Sequence, residues 1–498
     1  MSRTRRAIRL GRVAGAWVLS LVFIAGLFAA GAGAQEQTVR SEYGSSATPM
    51  TSPASATLGN QSPYFGSVAP GKATSGVLRL SIDEALARGL KYNLALLLDE
   101  QSTQAARGQR WKSLSDLLPN VTTRTSETSE QINLAVFGFS PAALAAFHVP
   151  SVVGPFSVFD TRAFLTQRLD LKAIEDLRAS RDNIAAAEYS YKDARDLVVL
   201  VAGNAYLLVN AAEARVETAE AQVKTSQSLA QKAADRRQAG LAPAIDDLRA
   251  QVELQARQQQ LLAARNDLAK RRLDLARAIG LPPGQEFELA DRIGFQPLEP
   301  SAVEGALERA YQSRSDYQSA LARVRAAQRG VKAARAERLP SLGFDADYGD
   351  IGLTPGASHG TFTVAGTVTI PVFQGGKVRG DVMVAEAALK QRQSELEDLK
   401  GRIDYQVRTS LLDLKTAADQ VAVAKSSVEL AGQTLEQAQD RFQAGVTDNI
   451  EVVEAQEAVA SANESYISSV YAHNIAKATL ARAEGIAEQA VSQFLKSR

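Results

Sequence analysis

The side chains that could do chemistry are few, and they are scattered. The 498-residue chain has three histidines, His148, His359 and His473, far apart in sequence. It has no cysteine, hence no disulfide framework and no cysteine for lipid attachment. No His/Asp/Glu cluster has metal-ligand spacing. Gly375-Gly376 follows a strand pattern, but no Lys-Ser/Thr follows it, so it reads as a turn and not as a phosphate cradle. Glu451 and Glu454 lie three residues apart, which a helix would place one turn apart on a single face. A solvated helix face has the same look. Catalysis needs polar groups that converge in a pocket, and nothing in the chain announces one. The expectation is a protein that is no enzyme and has no cofactor.

The elements that position these residues are written twice. Residues 235–281 fall without a gap on 440–486 at a shift of 205, matching Asp235/Asp440, Arg236/Arg441, Gly240/Gly445, Gln251/Gln456 and Gly280/Gly485. At a shift of 221, Ala85-Leu86 meets Ala306-Leu307, and Leu118-Pro119 meets Leu339-Pro340. A period this long is not that of a solenoid. It marks a duplicated unit, so each half should do the same mechanical job.

Residues 1–34 read as a signal peptide: five arginines, an apolar run from Val13 to Ala30, and Ala32-Gly33-Ala34. An uncleaved anchor is the competing reading of that run. Without these residues Lys+Arg falls from 56 to 51 against 55 acidic residues, a net charge of −4. That argues against a nucleic-acid partner. No later stretch is read as long and apolar enough to span a bilayer as a helix.

Residues 35–76 read as a flexible leader rich in Ser, Ala, Gly, Pro and Thr, with structure beginning at Ser81. Ser81-Ile82-Asp83-Glu84 fits a capping box, and Ser301-Ala302-Val303-Glu304 repeats it. A helix is expected from each cap to Pro119 or Pro340. The period then changes to two. In 361–370, Phe362, Val364, Val368 and Ile370 share one face, and Thr361, Thr363, Thr367 and Thr369 the other. Its partner is 342–350. Such alternation marks a transmembrane β-strand, apolar side to lipid and polar side to a lumen; an ordinary half-buried hairpin is the other possibility. The first half repeats this less clearly at 121–136 and 156–168, with about 16 extra residues around Phe139–Pro155.

The expected organisation is a first repeat at 77–290, a second at 291–487 and a C-terminal tail at 488–498. The first holds a hairpin at about 119–168 and a long helix at about 172–236; the second, a hairpin at about 340–372 and a long helix at about 378–442. Val407, Leu411, Leu414, Ala418, Val421, Val428, Leu435 and Phe442 keep 4-3 heptad spacing, with Lys425 and Gly432 at intervening positions; Val209, Val216 and Val223 lie seven apart. Each long helix ends at a Gln-Ala-Gly tip, and shorter helices, 245–279 and 301–338, return. The result is a rod about 100 Å tall. Four strands cannot close a membrane barrel, and open sheet edges are not tolerated in lipid. Several chains must pool their strands; the period leaves two, three or four copies open.

This order resembles the TolC-like outer-membrane efflux protein family, over about Ser81 to Ile486. The resemblance rests on the duplicated helix–hairpin–long helix–tip–helix order, on Leu118-Pro119 and Leu339-Pro340, on Pro371-Val372-Phe373-Gln374-Gly375-Gly376 and on the two tips. It implies a mainly α fold with a membrane β-barrel portion: a homotrimer with a twelve-stranded barrel over a periplasmic α-helical barrel. It implies an outer-membrane exit duct of a tripartite efflux pump or type I secretion system. The partners would be outer-membrane lipid, a periplasmic adaptor and a proton-driven or ATPase inner-membrane transporter. In such proteins the tips form the closed periplasmic entrance. The resemblance assigns Glu451, Glu454 and Asp246 to that constriction. It assigns Gln238, Ala239, Gly240, Leu241, Gln443, Ala444, Gly445 and Val446 to adaptor docking. Two positions after each tip glycine, where the family is often basic, this chain has Ala242 and Thr447, so no gate-locking salt bridge is expected there. The expected activity is passive conduction, with selectivity from lumen polarity and the constriction, and cargo of small hydrophobic or amphipathic compounds. A secreted coiled-coil scaffold or adhesin is the alternative from another class; a periplasmic adaptor is a third, which would lack paired membrane strands.

Overall fold

The computed structural model describes residues 62–299, 302–447 and 449–495. The expected signal peptide, the leader up to residue 61, and Ser301 lie outside the described residues.

Structure begins before Ser81, which corrects the expected leader boundary. A 3-10 turn at Pro63–Phe65 docks on the helices. Its Tyr64 packs against Leu96, Ala194 and Val198. The backbone beyond it is tied by Val68 N to Tyr92 O and Leu94 N to Gly66 O. β1 (Leu78–Leu80) then pairs in parallel with β4 (Phe287–Leu289).

Helix α1 (Ile82–Tyr92) starts at a complete capping box: Glu84 N donates to Ser81 Oγ, and Ser81 N to Glu84 Oε2. In the second half α6 (Val303–Ser313) starts after Ala302, which has no side chain to cap with. Neither helix reaches its proline unbroken. Asn93 (ψ 134) separates α1 from α2 (Leu94–Ser115), and Arg314 (ψ 120) separates α6 from α7 (Ser315–Ala336). The causes are long-range. Asn93 accepts from Ala95 N and donates to Tyr64 O and Ala278 O. Arg314 donates to Asp316, Gln406 and Ala483 O. A side chain that offers the backbone another partner favours a helix end over a helix interior.

Strands β2 (Asn120–Asn133), β3 (Val152–Leu169), β5 (Ser341–Gly352) and β6 (Ser358–Thr369) form one antiparallel sheet in the order β2-β3-β5-β6. The loop between β2 and β3 carries a short helix, α3 (Pro141–Ala146). In the second hairpin the register keeps the expected faces. Leu342 opposes Val368, Ala346 opposes Val364 and Tyr348 opposes Phe362; Asp347 opposes Thr363 on the other face. In the first hairpin the apolar face continues at Val121 opposite Leu165, then gives way to Thr125 opposite Thr161. Among the described residues, β2 and β6 each have an unpaired edge.

Below the sheet run α4 (Leu171–Gln238) and α8 (Lys377–Gln443), 68 and 67 residues, about 100 Å each at 1.5 Å per residue. Glu337 clamps both starts, with Lys172 Nζ at 2.5 Å and Lys377 Nζ at 2.9 Å. Each long helix folds back on a shorter one, α5 (Ala244–Ile279) or α9 (Asn449–Ala483). The expected C-terminal tail is instead a docked helix, α10 (Ala487–Leu495), with Val491 and Leu495 buried.

Two expectations about the helices need correction. One half of the α8 seam is shifted by one residue. Val407, Leu411, Leu414, Val421 and Phe442 are buried as expected, with Ser410 buried beside Leu411, but from there on the alternating positions are Ala417, Ala424 and Ala438, while Lys425 and Gly432 are exposed. Small residues at every second seam position let α9 approach closely. The second concerns membrane spans. α4 does carry a window apolar enough to cross a bilayer by length and composition. Its Val198, Val199, Ala202, Tyr206, Leu207 and Val209 are buried. Most of them pack with α1, α5, α9 and α10 in the largest core cluster, which accounts for the apolar run.

Candidate functional site

Both tips close in the same way. Gly240 and Gly445 each have φ +74. At the first, Gly240 N donates to Arg237 O and Leu241 N to Arg236 O; at the second, Gly445 N donates to Phe442 O and Val446 N to Arg441 O. These are Schellman ends, in which a left-handed glycine lets two amides satisfy the last helical carbonyls. Leu241 and Val446 follow, each about 70% exposed, so each tip presents one apolar side chain outward. Gln238, Ala239, Gln443 and Ala444 complete the turns.

The three carboxylates are placed differently. Asp246 is buried within the first hairpin, with Arg249 at 3.8 Å. Glu451 is half-buried and pairs with Arg441 Nη1 at 2.9 Å across the second hairpin. Glu454 is exposed. Glu451 and Glu454 share a helix and a face; Asp246 sits on the other hairpin.

One tip residue was missed from the sequence. Arg236 Nη1 donates to Phe442 O at 2.6 Å, and its guanidinium stacks 4.8 Å from the Phe442 ring centre. It joins the first tip to the second. Its only sequence signal was the match of Arg236 with Arg441, and Arg441 does a different job.

The polar face of the sheet carries a second built cluster. Arg162 binds Asp160 through two nitrogens and Asp347 Oδ1 at 3.0 Å. The guanidinium groups of Arg124 and Arg162 both lie near the Phe164 ring, 5.5 and 5.1 Å from its centre. Alternation along the strands is legible in the sequence, but the partners of these side chains are not.

Midway along the helices lies a joint that holds both halves. Gly280 (φ +71) packs on Tyr92, and Gly485 (φ +76) packs on Arg314; an added Cβ would lie 2.6 Å from Tyr92 Cβ or 2.7 Å from Arg314 N. Asn93 captures Ala278 O and Arg314 captures Ala483 O, carbonyls at equivalent places. Around this joint sit buried ionisable groups. Asp196 accepts from Glu488 N at the start of α10, and burial pushes its pKa up to about 6. Lys477 donates to Phe494 O and Gln296 O with no carboxylate among its hydrogen-bond partners, and burial lowers its pKa to about 8. His473 is buried beside Phe295, and burial lowers its pKa too. Among the described residues, no group of three or more His, Asp and Glu could hold a metal ion. The arrangement can bear load, present tips and line a passage with charge.

Comparison with known proteins agrees with that geometry. Residues 306–485 match the family described as outer membrane efflux protein. Outer membrane protein OprJ of Pseudomonas aeruginosa is 26% identical over 434 residues, covering 82% of this chain and 84% of OprJ. The alkaline protease secretion protein AprF of the same species is 24% identical over 258 residues, 49% of this chain and 52% of AprF. The fold resembles the Campylobacter jejuni CmeC outer membrane channel, with a TM-score of 0.70 at 18% identity, covering 87% of this chain and 96% of CmeC.

Proposed function

From the chain's membership of the TolC-like outer membrane efflux protein family, an outer-membrane protein with a long periplasmic extension, we propose that it is the trimeric exit duct of a tripartite efflux pump or type I secretion system. The observation that carries this reading is the four-stranded sheet. Both its edges are open, and its apolar face is bare: Phe362, Val364 and Val368 are each more than 60% exposed. In lipid the face is stable, but the edges are not until other copies pair with them. Three copies give a twelve-stranded barrel, within the range in which bacterial barrels close. The two helical hairpins of each copy then form a tube about 100 Å long below it.

Each chain in this reading comprises a signal peptide, a leader and two outer-membrane-efflux repeats. The polar face of the sheet, with Arg162, Asp160 and Asp347, lines the lumen. The tips form the periplasmic entrance, and Leu241 and Val446 with their Gln-Ala-Gly turns dock a periplasmic adaptor. An inner-membrane transporter supplies the energy. Glu451 and Glu454 set a cation-favouring constriction. Asp246, buried in this chain, contributes less than either. The conduit is passive, and its cargo is small hydrophobic or amphipathic compounds. A secreted scaffold or adhesin leaves the bare sheet face without a purpose.

The test is single-channel conductance of the signal-cleaved, detergent-extracted protein in a planar bilayer, with its mass measured in the same detergent. A trimer with small, cation-selective steps is expected. Replacing both carboxylates, Glu451→Gln with Glu454→Gln, should lower cation selectivity without abolishing conductance. A monomer that conducts nothing refutes the duct. A conducting trimer whose selectivity ignores the double replacement refutes only the acidic constriction.

A further inference from the structure

Where the second strand hairpin meets α8, the acidic side chains are matched and two basic ones are left over. Glu337 holds Lys172 and Lys377, Asp381 holds Lys377 at 3.5 Å, and Glu386 holds Arg335 at 2.6 Å. Arg338 and Arg379 have no hydrogen-bond, ion-pair or ring partner among the described residues. Both are exposed. One such arginine would be ordinary. These two line the same cavity of about 540 Å³, together with Val372, Phe373, Val382 and Met383. The volume lies within the range of small-molecule sites. Val372 and Phe373, 95% and 89% exposed, are the barest large apolar side chains among the described residues. They follow directly on β6, and Ile370 leads to them from the apolar face of the sheet.

An aromatic girdle at the membrane border would account for the apolar side chains. It does not account for the cations. At the shift of 205, Lys377 falls on Lys172, and both lysines clamp Glu337. Arg379 falls on Ile174, and at the shift of 221 Arg338 falls on Leu117. The first half also has no counterpart of Val372-Phe373, because α4 starts at Leu171, directly after β3 and its cap Asp170. The two arginines therefore occur only where the bare apolar pair occurs. Guanidinium groups match phosphate oxygens with paired donors, and basic pockets at a membrane border hold anionic head groups. Free phosphate would leave the apolar wall bare, and a neutral lipid would leave both cations uncompensated.

We propose that this cavity binds one anionic phospholipid per chain. Its phosphate oxygens accept from Arg338 and Arg379, and an acyl chain runs past Phe373 and Val372 onto the apolar face of the sheet. The inference rests on the reading that this sheet lies in the outer membrane, which puts the cavity at the periplasmic leaflet. A bound lipid would then join the last strand to the first turns of α8.

The probe is dioleoyl phosphatidylglycerol, titrated into the signal-cleaved protein in detergent and counted by native mass spectrometry. Dioleoyl phosphatidylcholine is the zwitterionic control. Phosphatidylglycerol should bind at least about tenfold more tightly than phosphatidylcholine, roughly 1.4 kcal/mol, and the selective binding should saturate at one lipid per chain. Arg338→Gln with Arg379→Gln should abolish the preference. Lys390→Gln with Lys415→Gln, at exposed lysines farther along α8, changes the net charge equally and should leave it intact. Val372→Ser with Phe373→Ser alters only bare side chains, so the fold should survive, and phosphatidylglycerol should bind at least about tenfold more weakly. An excess of inorganic phosphate should not displace the lipid; displacement would identify a site for free phosphate and overturn the proposal. Equal binding of the two lipids overturns it too, as does a preference that survives the double arginine replacement or binding that ignores the double serine replacement. Conductance in the planar bilayer keeps the two readings apart. A conducting trimer without lipid preference refutes the lipid site alone, and a lipid preference without conductance refutes the duct alone.

Discussion

Asp196 should make the docking of α10 weaken as pH rises, and Asp196→Asn should remove that dependence. Asp196 is 6% exposed on α4, and its Oδ1 accepts from Glu488 N, capping α10. Burial is the main cause of its raised pKa; the cap and Arg482 pull the other way, while Asp193 and Glu488 add to the rise. A pKa raised from 3.8 to about 6 means that the folded state holds the proton more tightly than the open state. The stability this confers is complete below about pH 4 and is lost as pH climbs through 6. At pH 7 the buried charge therefore costs about 3 kcal/mol, from 1.36 kcal/mol per pH unit. Asparagine keeps an acceptor for Glu488 N and carries no charge, so it should recover most of that amount. The assay is hydrogen exchange of Ala487–Leu495 between pH 5 and 8, corrected for intrinsic rates. Wild-type protection should fall with pH, and at pH 7 the Asn variant should be roughly 100-fold better protected. If wild-type protection is flat across this range, or if the variant is less protected at pH 7, the charge is not the dominant cost and the reasoning fails.

Three further outcomes follow from the same contacts. Arg236→Ala should loosen the link between the tips by about 2 kcal/mol, the worth of one charged hydrogen bond with a cation–π contact, seen as faster exchange around Phe442; Arg236→Lys should keep only part of it, since a lysine cannot stack flat. Gly485→Ala should lower the melting temperature more than Gly240→Ala, because both glycines have positive φ but only Gly485 has backbone 2.7 Å from the added Cβ; equal shifts would mean that Arg314 yields freely. Lys477 has a folded pKa lowered from 10.5 to about 8, so the open state binds the extra proton between those values and stability should rise with pH across them, by up to about 3 kcal/mol. Melting between pH 7.5 and 10 should show that rise in the wild type and not in Lys477→Met.

Local chemistry made some elements legible and left others hidden. The capping box at Ser81 and the alternation of 361–370 are short-range signals, and both appear where the sequence put them. The ends of both long helices were also near at hand, because a glycine in the left-handed conformation follows each. The breaks at Asn93 and Arg314 were not visible, because what stabilises them is a carbonyl some 170–190 residues away. Asparagine has some tendency to end a helix, whereas arginine has none that would have flagged position 314. The α8 seam was misplaced by one residue on one side for a related reason. Leu411 is buried as its size suggests, but the adjacent alanines Ala417 and Ala418 have no size difference to tell a seam position from its neighbour, and it is Ala417 that is buried. The apolar window of α4 was overlooked as a span and is explained by the four helices that bury it. Of the tip residues, the left-handed turns at Gly240 and Gly445 could be read directly. Arg236, Asp196 and Lys477 could not, since their roles exist only once distant segments meet.

Comparing equivalent positions shows where the two halves keep the same geometry and where they diverge. The joint is kept: Gly280 rests on Tyr92 and Gly485 on Arg314, and Ala278 O and Ala483 O are captured by the residue at the helix break in each half. The side chains that do this differ, asparagine in one half and arginine in the other, so the fixed quantity is the backbone crossing. At the tips the turn is kept and the charges are not. Arg237 pairs with Asp247 in the first hairpin, whereas Arg441 pairs with Glu451 in the second, and Gln251 has a partner that Gln456 lacks. In the proposed ring, six hairpins alternate around one axis. A common crossing geometry lets six similar hairpins close, because an error in angle accumulates around a circle. The surface chemistry is under no such constraint, since the first hairpin and the second meet different neighbours. Divergence of side chains at the tips is what that division of labour allows, and the asymmetry between Gln251 and Gln456 falls on the side that is free to vary.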